Sequence, residues 1–542
     1  MSEELSTQVL IIGGGTGGVA AALACGSRGI SCIVTEPTPW IGGQLTSQAV
    51  PPDENQWVET FGATRRYQRF RELVRAWYRE HRSLTPRAKD DPLLNPGNGW
   101  VSRLCFEPRV GHEVLESMLA PLVASGKVTV RRGLRPVGAE PAKDRVESVR
   151  FEGPDGPLTI RAPFIIDATE LGDLYPLAGI EHAIGAEGRA AHGELHAHPG
   201  GDDPRDQQAF SWCFALSHHP GEDHTIPRPE AYAKWREYRP EMTPAWCGPL
   251  FSWLVPSHND AGCRTLRLVP HPDEPGDEWE LWRYRRIVDA SIYAPGSDHP
   301  PDVCLVNWVQ MDYWRRPLLG VSGAEQQTAL REAREQSLCL LHWMQTEAPR
   351  HDGGVGYPGL ALRGDELGTA DGFAMAPYIR EPRRLVARTI VHEGHIGTEQ
   401  RKAEGRPHMD EAPFGRAEPF LDSVGIGHYT LDLHPSTSGR NSVYVPAAPF
   451  RIPLGSLIPV RCRNVIAGGK GIGVTHITNG CFRMHAVEWN IGEAAGALAA
   501  WCVANDAEPA EVHADPGATE EFQRDLVADG VRIAWPWESE AR

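Results

Sequence analysis

Val9-Leu10-Ile11-Ile12-Gly13-Gly14-Gly15-Thr16-Gly17-Gly18 is the stretch on which the fold turns. Four consecutive apolar residues suit a strand buried on both faces of a parallel sheet. Behind the glycines, Val19-Ala20-Ala21-Ala22-Leu23-Ala24 favours helix, and Cys32-Ile33-Val34 makes a second strand that ends on Glu36. In this strand–turn–helix–strand setting, Gly13-x-Gly15-x-x-Gly18 is a dinucleotide-binding fingerprint rather than a chance spacing. Gly13 permits the tight turn, Gly15 lets a pyrophosphate approach the backbone, and Gly18 lets helix and strand pack closely. Gly14 and Gly17 complete the cradle, and the helix N terminus supplies a favourable field for phosphate. Glu36, 23 positions after Gly13, is placed to accept hydrogen bonds from an adenosine ribose.

Glu36 does not separate NAD from FAD; three later segments do. Gly42-Gly43-Gln44-Leu45-Thr46-Ser47, Asp167-Ala168-Thr169-Glu170-Leu171-Gly172-Asp173, and Gly468-Gly469-Lys470-Gly471-Ile472-Gly473 with the helix carrying Gly492 and Gly496 follow in that order. They resemble the flavin-binding segments of the glutathione-reductase-like flavoproteins. With Asn98-Gly99-Trp100-Val101-Ser102-Arg103, Arg380-Glu381-Pro382-Arg383-Arg384 and Asp432-Leu433-His434-Pro435, the chain is most similar to the FAD-dependent oxidoreductase family, some members of which are labelled xanthan-lyase-like. The resemblance runs from about Val9 to Val503. It implies an α/β fold with a discontinuous Rossmann-like FAD-binding domain, residues 1–185 and 440–505. An α+β substrate domain, 186–439, is inserted between them, and 506–542 form a C-terminal extension.

The resemblance also implies FAD contacts at Gly42, Gly43, Gln44, Arg103, Val137, Ala168, Thr169, Asp173, Gly469, Gly473, Thr475 and Asn479, with Asp173 on the ribityl chain. Glu170 departs from the family pattern, standing where a glycine is usual. Fumarate-reductase-like relatives often attach FAD to a histidine near the second glycine pair. Gln44 and no histidine occupies that segment here, so the expected FAD is non-covalent.

The 542 residues, 41% apolar and 23% charged, are those of an ordinary multi-domain globular chain. A net charge of −17 disfavours binding to phosphate backbones, and with it a nucleic-acid partner or a GidA-like role in RNA modification. Eleven cysteines stand singly, with no C-x-x-C pair. Neither a zinc ribbon nor a disulfide framework is expected, and a reducing cytoplasm is the expected location. The polar start before Val9 does not read as a signal peptide. No apolar run reaches 18 residues, so no membrane span is expected. His392-Glu393-Gly394-His395 lacks the spacing of H-E-x-x-H, and no metal site is expected.

Tyr67, Phe70, Val74 and Tyr78 recur at helical spacing, with the intervening arginines expected on a solvated face. The stretch Pro86 to Gly99 reads as a loop, Val114 to Val123 and Ala324 to Gln345 as helices, and Val128 to Arg131, Val146 to Phe151 and Phe164 to Asp167 as strands. A helix is expected to begin near Thr478, capped by Asn479 and preceded by His476, with helix again from Cys481 to Val503. From Gly427 to His434, a period of two places Tyr429, Leu431 and Leu433 on one face and His428, Thr430, Asp432 and His434 on the other. An aspartate beside a histidine can orient it as an acid–base group, so His428, Asp432, His434 and, near the flavin-facing helix, His476 are the catalytic candidates.

Arg380 and Arg383 are candidates for holding a substrate carboxylate, against the alternative that R-E-x-R-R ties domains together. Trp212, Phe214, Trp308, Tyr313 and Trp314 suit core packing better than a pocket wall. The expected activity removes a hydride from a C–H beside oxygen or nitrogen of a small molecule, passing electrons on to oxygen or another carrier. The alternative is a C–C dehydrogenase or reductase, as in the fumarate-reductase-like relatives, and more remotely a non-catalytic flavoprotein.

Overall fold

The computed structural model describes residues 3–257, 262–269, 280–407 and 416–541. Five parallel strands form its central sheet: β1 (Val9–Ile12), β2 (Cys32–Glu36), β3 (Val128–Arg132), β4 (Phe164–Asp167) and β5 (Val465–Ala467), in the order β5-β4-β1-β2-β3. β1 lies at the centre, Leu10 between Ile33 and Ile165, which explains why every one of its side chains is apolar and buried. β5 reaches this sheet only after the long middle region, so the parallel sheet is discontinuous in sequence. A second, mainly antiparallel sheet has the strand order Glu3–Ser6, Leu158–Arg161, Arg145–Glu152, Arg135–Ala142.

The helices Thr16–Ser27 and His485–Asn505 cross with their backbones touching. A Cβ on Gly492 would sit 2.0 Å from the Gly17 oxygen, and one on Gly496 would sit 2.3 Å from that of Ala21. Glycines on both helices thereby bring the N terminus of the first helix against β5, where a Cβ on Gly17 would meet the Gly468 oxygen at 2.0 Å.

The middle region has its own antiparallel sheet, Arg286–Val288, Val303–Val306, Phe214–His218 and Leu360–Leu362. Over it lies the helix Gly323–Thr346, started by a Ser322–Glu325 capping box. Phe214, Tyr313, Trp235 and Trp343 pack into this second core. The ladder Leu431–Leu433 with Val443–Val445 spans the expected boundary at 439/440.

Several expectations are corrected. Arg71 and Arg75 are not solvated: both are buried on the helix Arg65–His81, paired with Glu54 and Glu59. Periodicity cannot distinguish a solvated arginine from one whose charge is met by a distant carboxylate. Pro86–Asp90 is a short helix capped by Thr85, with proline at its first turn. The C-terminal helix starts at His476, not Thr478. Thr475 caps it through the Thr478 amide, and Asn479 lies inside it. Helix does not run unbroken from Cys481; it stops at Phe482 and restarts at His485. Cys247 and Cys263 form a disulfide, Cα atoms 6.0 Å apart, which ties the segment before the ladder of Leu254–Pro256 and Cys263–Thr265 to its second strand.

The glycine crossing leads to a clear expectation. Gly492→Ala forces backbone apart and should cost at least about 1–3 kcal/mol in urea unfolding. Gly323→Ala, where a Cβ meets nothing within 4 Å, should be neutral or slightly stabilising.

Candidate active site

The glycine fingerprint builds a cradle with three kinds of hydrogen-bonding group. Gly13 takes φ +94°, and a Cβ there would meet the Ala168 oxygen at 2.4 Å, so only glycine permits the turn. The helix after it begins at Thr16 with no side-chain cap on Gly15, leaving first-turn amides for an anion. At the end of β2, Glu36 accepts from the Gly14 amide (3.0 Å) and from the Thr38 amide and hydroxyl (2.9 and 2.7 Å). Burial pushes its carboxyl up to about 7 against those bonds. Gly42 donates to the Gly14 oxygen at 2.7 Å, and the Thr16 hydroxyl donates to the Gly42 oxygen at 2.9 Å, locking the second glycine pair onto the first loop.

Gln44 Oε1 and Glu170 Oε1 lie buried without a donor here, Glu170 Oε1 at 2.8 Å from where a Gly15 Cβ would be. Amide donors for a pyrophosphate, Glu36 for a ribose and spare acceptors for the hydroxyls of a ribityl chain match the polar groups of FAD in kind. Glu170, unusual in its position, is paired with the buried Lys470, which also donates to the Ile379 oxygen at 2.8 Å. Glu488 joins the same cluster, accepting from Gln44, and burial pushes its carboxyl up to about 8.

The other residues that the resemblance assigned to FAD divide. Ala168 underlies Gly13, and a Gly469 Cβ would sit 3.4 Å from Ala168 Cα. Asp167, pushed up to about 7 by burial, orders the turn that follows by accepting from the Thr169 amide and hydroxyl (3.0 and 2.8 Å). Thr475 caps its helix while donating to Glu194 at 2.6 Å. A Gly473 Cβ would meet the Thr389 oxygen at 2.4 Å, so that glycine answers to packing. Arg103 is exposed on a surface groove with Glu59 and Asp289, none of whose residues belong to the cradle. Val137 is half-buried on the antiparallel sheet beside the central one. Asp173 is held by Arg383 at 3.1 Å. Arg383 is thereby occupied and does not line the cavity described next, contrary to the substrate role expected of it.

A cavity of about 420 Å³ opens between segments on both sides of the expected domain boundaries. Asp53, Tyr429, Asp432, His434 and Arg483 line it together with Trp100, Arg264, Tyr284, Arg285, Asn307, Trp308, Tyr378 and Arg380. It adjoins the cradle through Arg483, whose backbone oxygen accepts from Gln44 Nε2 at 3.1 Å. Arg483 in turn donates to the Tyr378 hydroxyl (2.9 Å) and to Asp432 (3.2 Å). Gly480 has no Cβ to hold off the strand Leu431–Leu433: one there would be 2.9 Å from the Asp432 amide.

Of the four catalytic candidates, the structure brings two together. His434 and Asp432 line the cavity with Nε2 and Oδ2 3.8 Å apart. Behind them stands Asp312, absent from the sequence reading, which accepts from His434 Nδ1 at 2.6 Å and pairs with Arg380 at 3.0 Å. Burial would raise the Asp312 carboxyl, but Arg380 and His434 outweigh it and hold it at about 2.

His428 is corrected. The chain leaves the strand at residues 428–430, so alternation fails, Tyr429 faces the cavity, and His428 packs against Trp57 at 5.1 Å. Burial pushes His428 down to about 4. His476 is corrected too: Nδ1 bonds Glu381 at 2.9 Å and Nε2 accepts from Arg440 at 2.8 Å, leaving no nitrogen for a substrate. Glu381 also binds Arg384, which reaches Glu187, so most of R-E-x-R-R does tie segments together. Arg380 lines the cavity, with terminal nitrogens engaged by Asp312, Ser211 and the Ala209 oxygen.

Nothing local in the sequence marks Asp312, Asp53, Arg285 or Asn307, which lie on short strands and loops assembled by the second core. Among the described residues, no group of three His, Cys, Asp or Glu could hold a metal ion, and no helix is long and apolar enough to cross a membrane.

A family model described as FAD dependent oxidoreductase matches residues 8–526. No curated protein matches the chain. Among solved structures, an L-proline dehydrogenase from P. horikoshii is similar at 16% identity and a TM-score of 0.19, over 31% of this chain and 23% of that one. A p-nitrophenol 4-monooxygenase from Pseudomonas putida is similar at 15% identity and 0.22, over 40% and 48%. A THI4 protein from Thermovibrio ammonificans is similar at 19% identity and 0.21, over 34% and 66%. The chain thus spans less than half the length of the first two.

Two outcomes are expected. Gly15→Val should leave a folded protein without FAD, because its Cβ meets only the Glu170 side chain, while Gly18→Val, 1.9 Å from the Gly13 oxygen, should fail to fold; flavin absorbance and circular dichroism separate them. Glu381 is also held at about 2, where burial is outweighed by His476 and Arg384. The stabilisation from Asp312 and Glu381 is therefore complete above their unfolded values near ~4 and lost as pH falls toward ~2. The urea midpoint should drop across that window, and less steeply in Glu381→Gln.

Proposed function

As a member of the FAD dependent oxidoreductase family, the chain is an FAD-dependent enzyme, and from that premise we propose that it oxidises a small molecule at a C–H bond beside oxygen or nitrogen. Bound FAD supplies the two-electron acceptor for the hydride. The observation that carries the reading is the Asp312–His434 pair opening onto the cavity. In the neutral imidazole, the Asp312 carboxylate, which only accepts, holds the Nδ1 proton of His434 and turns the Nε2 lone pair to the substrate. His434 Nε2 takes the proton from the substrate O–H or N–H as the adjacent C–H gives up its hydride, and Asp312 balances the charge that forms on the imidazole.

Asp432 lies 3.8 Å from Nε2 and pairs with Arg483 at 3.2 Å, which fixes the carboxylate beside the reacting group. Tyr284, Tyr378, Tyr429 and Trp308 give the cavity an aromatic lining, with Trp100 at its exposed edge. Gly13, Gly14, Gly15, Glu36, Gln44 and the Lys470–Glu170 pair hold FAD without a covalent bond. Intact FAD should therefore leave the chain on acid or heat denaturation; flavin remaining with the polypeptide refutes that part.

An anaerobic screen of small alcohols, amines and sugars for flavin bleaching identifies a reductant for stopped-flow work. His434→Ala should then slow flavin reduction by about 10²–10⁴-fold with FAD content intact, and Asp312→Asn should slow it by a smaller factor. His476→Ala should lower stability while leaving the reduction rate within a few-fold. Normal reduction by His434→Ala, or a collapse confined to His476→Ala, overturns this assignment.

A further inference from the structure

Five hydrogen-bond donors on residues that line the cavity lack an acceptor: Nε of Arg285, Arg380 and Arg483, Nδ2 of Asn307 and Nε1 of Trp308. Each of these side chains is more than nine-tenths buried. No described residue on the same wall leaves a buried acceptor without a donor. Buried donors are almost always paired in folded proteins, so a one-sided set of five points to a ligand that brings acceptors.

The charges lean the same way. Arg264, Arg285, Arg380 and Arg483 line the cavity against Asp53 and Asp432, with Asp312 behind Arg380. Asp53 and Asp432 occupy terminal nitrogens of Arg285 and Arg483, at 3.5 and 3.2 Å. The Nε edges stay over. The O–H or N–H that reacts at His434 Nε2 spends its donor there and leaves the remaining donors of the cavity unanswered. An ionised carboxylate brings acceptors alone, and its planar group suits guanidinium edges. The rest of the wall is aromatic, with Trp100, Tyr284, Tyr429 and Tyr444 offering flat apolar faces.

We propose that this cavity takes an organic carboxylate, the carboxylate seated against Arg285, Arg483, Asn307 and Trp308 and the body of the molecule between the aromatic rings. The inference rests on the reading of this cavity as the active site and names its substrate class. Arg285 and Arg483 also hold structural ion pairs, so their removal is a poor test. Asn307 permits a change of donor at nearly constant volume, and Trp308 permits loss of the donor with an aromatic ring retained.

The test is calorimetric titration of the FAD-loaded protein with sodium benzoate and with benzamide, its neutral counterpart of similar size. Benzoate should bind at one site at least about tenfold more tightly than benzamide. Asn307→Asp replaces a donor with a charged acceptor, and Trp308→Phe removes the indole N–H but keeps a ring. Each should weaken benzoate severalfold, Asn307→Asp by about tenfold or more, without loss of FAD. Absent benzoate binding, equal affinities for the two probes, or benzoate affinity unchanged in both variants overturns the proposal. Titration needs no turnover, so its result is separable from the catalytic assignment. Selective benzoate binding with normal flavin reduction by His434→Ala leaves the carboxylate site standing without the acid–base role. Slow reduction by that variant, together with equal affinities, does the reverse.

Discussion

Backbone contact between the helices Thr16–Ser27 and His485–Asn505 is the constraint on which the rest of the molecule depends. Where a Cβ would stand 2.0 Å from a carbonyl oxygen, no side chain can substitute without moving a whole helix. The close crossing has two consequences. It sets the uncapped first turn of one helix directly beside β5 and Glu488, giving an anion-facing end in a buried place. It also fixes the start of the second helix, and with it the bend at Arg483 that points a guanidinium into the cavity. The glycine cradle and the cavity lining at Arg483 are thus positioned by the same glycines.

Charge is placed with equal economy. The two buried carboxylates held at about 2, Asp312 and Glu381, serve different ends. Glu381 accepts from both His476 and Arg384, and His476 is bridged through Arg440 to Asp206, so the C-terminal helix is tied to the middle region by charge as well as packing. Asp312 faces Arg380 on one side and His434 on the other, leaving one imidazole nitrogen toward the cavity. The two histidines differ in how many ring nitrogens are already engaged by neighbouring side chains.

The disulfide and the buried arginines show where pattern reading fails. Cys247 and Cys263 stand alone in the sequence and are joined by the way the chain folds between them. Arg71 and Arg75 look like the solvated side of an amphipathic helix and are buried because Glu54 and Glu59 return to meet them. At residues 428–430 the alternation of a strand is broken, and that single irregularity exchanges the places of His428 and Tyr429. Each failure involves a partner distant in sequence or a local break that periodicity cannot see.

The amino-acid sequence by itself determined the parallel sheet, the glycine turn, Glu36 at the end of β2 and the return of the chain to that sheet through Val465–Ala467. Those features rest on short-range rules: an all-apolar run for a buried strand, glycine where φ is positive or backbones touch, an acid at a set distance from the turn. It also singled out Asp432 and His434, since a two-residue period survives over that short strand. Only the tertiary structure decided that Asp312 stands behind His434, that His476 is spent on Glu381 and Arg440, and that Arg285, Asn307 and Arg483 share one wall. The physical reason is that a side chain's protonation and its free hydrogen-bonding atoms are set by whatever packs against it, and those neighbours come from segments far apart in the sequence.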